Sequence, residues 1–154
     1  LSILENLDEN YMIIIRDRHT VAGEVSESTT ELYGELAIAQ NGYVIRYNEH
    51  EGDFAGTTTN ISVMGPDSLR LSRGGNFGID FLLEEGKRHN CFYDTPYGRL
   101  EMGVYAKKID SDMKDDGGNL KFAYSLDIGG GEVSENELEL EVREMKQRGA
   151  RTDV

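Results

Sequence analysis

A single cysteine, Cys91, stands in a chain of 154 residues, so no internal disulfide can staple the fold. A chain of this length forms one domain large enough to bury a sizeable core without one. No stretch has the length or apolar content of a signal h-region or a membrane-spanning helix, and a reducing cytoplasm is the expected location. The chain opens at Leu1 rather than Met, so a trimmed N-terminus is expected. Positive charge is scarce as well: 16 Lys and Arg face 29 Asp and Glu, a formal net charge of −13. A surface of that sign repels phosphate backbones and anionic headgroups, so neither nucleic acid nor a membrane is expected as a partner. Helical periodicity is almost absent, because hardly any segment repeats its apolar residues at 3.6.

What the chain has instead is alternation with a period of two. Over residues 11–20, Tyr11, Ile13 and Ile15 share one face and Met12, Ile14 and Arg16 the other, with the inward side left open. Residues 28–40 align Leu32, Gly34, Leu36 and Ile38, and Asn41-Gly42 then gives a strong hairpin signal. The returning strand carries Tyr43, Ile45, Tyr47 and Glu49 on one face, and the next carries Thr57, Thr59, Ile61 and Val63. Gly65-Pro66-Asp67 turns into Leu69, Leu71 and Arg73; Gly74-Gly75-Asn76 turns into Phe77, Ile79, Phe81 and Leu83. Glu85-Gly86-Lys87 leads to Cys91, Tyr93 and Thr95, with Phe92 opposite, and a bend at residues 95–98 leads to Leu100, Met102, Val104 and Ala106. Residues 110–119 read as a polar hairpin loop. Leu120, Phe122, Tyr124, Leu126 and Ile128 alternate cleanly, and Leu138, Leu140 and Val142 complete the last strand, with Glu137, Glu139 and Glu141 on its solvent face.

These elements predict an all-β fold, a single antiparallel up-and-down meander of about eight to ten strands closed into a barrel, since curling shut removes exposed edges. The barrel is expected over residues 11–145, with an unassigned lead-in over 1–10 and a disordered tail over 146–154.

No cofactor or metal is expected. The two glycine-rich stretches, at residues 74–78 and 129–131, are followed by strands, whereas a phosphate cradle needs a helix N-terminus. The acidic run over 110–117 resembles a calcium loop, but Lys114 breaks the ligand spacing, and a solvated hairpin is the simpler reading. His19, His50 and His89 lie on separate elements with no partner at ligating spacing. Cys91 is a lone cysteine in a predicted strand and reads as packing.

A polar set remains on the face a barrel would bury. Tyr47, Glu49, Thr59 and Arg73 share the side of Ile45, Ile61 and Leu71, and an ionised Glu49 there needs a counter-ion, which Arg73 supplies. Such a pair serves either to pin strand register or to anchor the polar head of an enclosed ligand.

These same residues resemble the signature of the YwiB-like family, small bacterial proteins of unknown function with a calycin-like β-barrel. The resemblance runs from Tyr11 to Glu144 and rests on Tyr47 and Glu49, Thr59, Arg73-Gly74-Gly75, Phe81, the segment from Tyr93 to Gly98 that includes Tyr97, Tyr124, and the strand from Leu138 to Val142. It implies a lipocalin-like architecture and carries no chemistry of its own. Three functions are compatible with the residues. The first is a barrel that binds a small apolar or amphipathic anionic ligand through Tyr47, Glu49, Thr59, Arg73, Tyr93 and Tyr97. The second is an enzyme using Glu49 as acid or base beside Tyr47 and Tyr93. The third is an interaction domain docking through an outer strip of Ile13, Ile15, Phe92 or Tyr105.

Overall fold

A computed structural model of the chain describes residues 10–50, 55–74 and 78–145. The expected tail, the expected lead-in apart from Asn10, and Gly75, Asn76 and Phe77, the expected turn and first residue of the next strand, lie outside them. Ten strands follow one another: β1 Tyr11–Val21, β2 Glu24–Ile38, β3 Tyr43–Asn48, β4 Thr58–Gly65, β5 Ser68–Gly74, β6 Ile79–Glu84, β7 Arg88–Thr95, β8 Gly98–Lys114, β9 Gly117–Ile128 and β10 Gly131–Glu144. Each pairs antiparallel with the next, and β1 pairs with β10, so the meander closes into a barrel. No helix among the described residues is long and apolar enough to cross a membrane.

Alternation places the core. Leu36, Ile45, Ile61, Leu71 and Phe81 are successive cross-strand neighbours on β2 to β6 and all are buried, so they form a row around the inner wall. Ile13, Leu69, Leu83, Leu120, Phe122 and Leu140 fill the barrel toward the end that carries the β2–β3, β4–β5 and β8–β9 turns. There Tyr11 donates to the Asp115 carbonyl and Tyr43 bonds Ser111.

Two expectations are corrected. Ile13 and Ile15 are buried, and no outer docking strip includes them. β1 is hydrogen-bonded on both sides, and its register sets Ile13 opposite Leu32 and Val142, so the inward phase of its neighbours decides its own. Phe92 and Tyr105 do face solvent. The stretch 110–119 is mostly strand: β8 runs to Lys114, β9 begins at Gly117, and only Asp115 and Asp116 turn between them. The cause is a β-bulge in β8, where the pairs jump from Ala106 to Lys108. Lys107 and Lys108 both point outward and Ile109 points in, fully out of step with the alternation before it.

Candidate functional site

One row of the inner wall is polar, and register assembles it from five consecutive strands. Tyr47 on β3 stands opposite Thr59 on β4, Thr59 opposite Arg73 on β5, Arg73 opposite Ile79 on β6, and Ile79 opposite Tyr93 on β7. On the other side of Tyr47 stands Gly34 of β2. A Cβ there would come within 2.5 Å of the Arg46 carbonyl oxygen and 2.7 Å of an Ile13 methyl, so the missing side chain lets Tyr47 and Ile13 close over the backbone.

Glu49 follows directly on the end of β3. The Thr59 hydroxyl donates to Glu49 Oε2 at 3.1 Å and accepts from Arg73 Nε at 3.1 Å, while Arg73 Nη2 lies 3.6 Å from the same carboxylate oxygen. Thr59 has no exposed surface, and the Arg73 and Glu49 side chains are 14% and 18% exposed. The ion pair is therefore bridged by a buried hydroxyl more than it is joined directly.

Beside this row lies a cavity of about 320 Å³. Its walls are Tyr47, Leu71, Arg73, Ile79, Phe81 and Tyr93 on one side, and Asp17, His19, Met102, Tyr124, Leu126, Asn136 and Leu138 on the other. Tyr124 packs edge-on to Phe81 and stacked on Phe122, at centroid distances of 6.0 and 6.1 Å, so its ring is fixed. Burial pushes the Tyr47 and Tyr124 phenols far above their ordinary range, with Glu49 adding to the first and Asp17 to the second while Arg73 opposes both shifts. Both keep their O–H protons at physiological pH. Burial also raises Asp17, against the pull of His19 and Arg73.

Of the residues singled out from sequence, Tyr47, Glu49, Thr59 and Arg73 come together, and Tyr47, Arg73 and Tyr93 lie on the cavity wall. Tyr97 does not: it sits in the β7–β8 turn, fully exposed, and the cavity wall does not include it. Its motif is a turn, in which the Thr95 hydroxyl donates to the Gly98 carbonyl and accepts from the Tyr97 amide. Glu49 belongs to the ion pair and is not part of the cavity wall. The carboxylate that does line it, Asp17, escaped sequence reasoning along with His19 and Asn136. Its signal was present, because Ile13, Ile15, Asp17 and His19 share one face; what was missing was the inward direction of β1. Among the described residues, no three His, Cys, Asp or Glu side chains gather as a metal site would need.

The barrel matches the crystal structure of the ywiB protein from Bacillus subtilis with a TM-score of 0.78 at 18% sequence identity, over 94% of this chain and 100% of that one. At that identity the likeness speaks to fold. No curated protein matches the sequence. The model of a domain of unknown function, DUF1934, matches residues 13–140, well over half of the chain, and the protein belongs to that family.

Proposed function

We propose that the barrel binds one small amphipathic molecule in the cavity beside Arg73, with an acceptor-rich head such as a carboxylate toward the polar wall. The observation that carries this reading is the wall itself. Tyr47, Tyr93, Tyr124, Arg73 and Asn136 all offer N–H or O–H donors, and Asp17 alone is purely an acceptor when ionised. Leu71, Ile79, Phe81, Met102, Leu126 and Leu138 provide an apolar bed for the rest of the molecule. At a liquid-water share of about 30 Å³ per molecule, the cavity holds about ten water-sized groups, which favours a short ligand over a long-chain lipid. A site in the mouth of the barrel suits up-and-down barrels of this size, in keeping with the calycin-like reading, and a cytoplasmic setting suits the buried thiol of Cys91.

The enzyme reading receives less support, since Glu49 is held by Thr59 and Arg73 and the cavity wall does not include it. The test is calorimetric melting of the protein with a panel of monocarboxylates of about ten non-hydrogen atoms, salicylate and short alkanoates among them. A true ligand at a hundredfold excess over its Kd stabilises by about 2.7 kcal/mol, which for a chain of this size raises Tm by about 5–10 °C. Replacing Asp17 by Asn removes the one competing negative charge from the wall and is expected to tighten the binding of any carboxylate. A panel that leaves Tm within 1 °C for both proteins contradicts the reading.

A further inference from the structure

The barrel wall is hydrogen-bonded unevenly. β5 and β6 pair along their full length, from Ser68 opposite Glu84 to Arg73 opposite Ile79, and β7 and β8 pair from Arg88 opposite Tyr105 to Thr95 opposite Gly98. Between β6 and β7 the ladder shrinks, among the described residues, to one pair, Ile79 opposite Tyr93, supplemented by the Asp94 amide donating to the Gly78 carbonyl at 3.3 Å and by a side-chain bond between His89 and Glu84 at 2.7 Å. The turn that joins these strands explains the split. Its backbone bonds to β8 instead: Gly86 donates to the Ala106 carbonyl, and Ala106 donates to that of Lys87. Past the last β7 partner, the Ile109 amide donates to Glu85 Oε1 at 2.9 Å. Fastened to β8, the turn carries the near end of β6 away from ladder contact with β7.

Along this seam the outer surface has a groove of about 480 Å³, bordered by Ile79, Leu82, Asn90, Cys91, Asp94 and Arg99 among others. It gives the facing backbone groups access to water, which unpaired strand edges require. Ile79 borders both the groove and the inner cavity, and Phe81, Tyr93 and Met102 line the cavity from the adjoining strands. One layer of side chains therefore separates outside from inside at this point. Everywhere else around the barrel, parting two strands breaks a ladder of several pairs; here, among the described residues, it breaks one ladder pair, one further backbone bond and the His89–Glu84 bond.

We propose that the β6–β7 seam is a side entrance to the cavity, through which a small molecule passes when Ile79 and Tyr93 part. As an entrance for ligand, it rests on the cavity being a binding site. As a place where the barrel opens locally, it does not.

Cys91 reports the opening, because it is the only cysteine, it is buried, and it sits on β7 against the seam. The experiment follows labelling of the wild-type thiol by methyl methanethiosulfonate, normalised to the rate in the unfolded chain, at increasing urea below the unfolding transition. The same series is repeated with saturating salicylate. The seam predicts labelling at least 100-fold faster than global unfolding allows, with little dependence on urea, because local opening exposes little surface. Labelling whose rate and urea dependence equal those of global unfolding overturns the proposal, whatever salicylate does. Slower labelling with salicylate supports both the entrance and the binding reading. Local labelling in a protein that salicylate and the remaining monocarboxylates neither stabilise nor protect supports an opening seam and counts against the cavity as their site.

Discussion

Thr59 holds two opposite charges apart and together at once, from a position with no exposed surface. Replacing it by Val keeps the shape and removes the hydroxyl, leaving Glu49 and Arg73 at 3.6 Å without their bridge. Hydrogen bonds to charged groups contribute about 1.5–3 kcal/mol each, so Thr59→Val is expected to lower stability by at least about 2 kcal/mol in urea titrations. A loss below 0.5 kcal/mol, on the order of a neutral surface change, contradicts the bridging role. Asp17 gives a second residue-scale prediction, in pH. Its raised pKa means that the native state holds the proton more tightly than the unfolded chain. That contribution is complete below the ordinary aspartate range and is lost as pH rises through the raised value. Asp127, Glu135 and Glu141, held down by Arg88, Lys107 and Arg143, have the opposite sign: theirs stands above the ordinary carboxylate range and is lost as pH falls through the lowered values. Subtracting the stability of wild type from that of Asp17→Asn cancels these three. The difference is expected to grow in favour of Asn from about pH 4 toward pH 7, and a difference constant with pH contradicts the account.

At the scale of elements, the β1–β2 hairpin carries visible strain. Val21 pairs with Glu24, and the two residues between them, Ala22 and Gly23, have φ of 53° and 81°. Both angles belong to the left-handed region that this tight turn demands and that alanine adopts at a cost. Ala22→Asn creates the Asn-Gly pair preferred there, and stabilisation by about 0.5–1 kcal/mol is expected in urea titrations; destabilisation contradicts the turn geometry. The same hairpin shows where sequence patterns stop being informative. With no Asn-Gly or Asp-Gly at residues 22–23, the start of β2 carries no turn signal, whereas Asn41-Gly42 marks the next hairpin openly. Residues 43–48 and 57–63 could be phased from their own side chains, because each has one strongly apolar face, and that is why Tyr47, Thr59 and Arg73 were legible as neighbours. β1 is apolar on both faces near its start, so only pairing with β2 and β10 orients it, and Asp17 and His19 stayed hidden with it. The bulge at Lys107 and Lys108 leaves no mark in composition, and it turned a strand into an apparent loop. The split between β6 and β7 depends on bonds from their turn to β8, a contact that no local pattern contains.

For the molecule as a whole, the barrel divides into an end packed solid and an end left partly hollow. Phe122, Leu69, Leu83 and Leu120 close the first, while the second keeps a cavity bordered by Asp17, Asn136 and the aromatic rings of Tyr47, Tyr93 and Tyr124. Filling that space with side chains would have added apolar burial and stability; instead an arginine and three phenols border it, the groups that the proposed ligand would meet. The most direct measurement is native mass spectrometry of the protein purified from cells without denaturation, beside a Leu126→Trp variant that fills the cavity. The account predicts a noncovalent small-molecule adduct on the wild type that is absent from the filled variant. Clean unliganded spectra from repeated wild-type preparations, or an adduct equally present on Leu126→Trp, would contradict it.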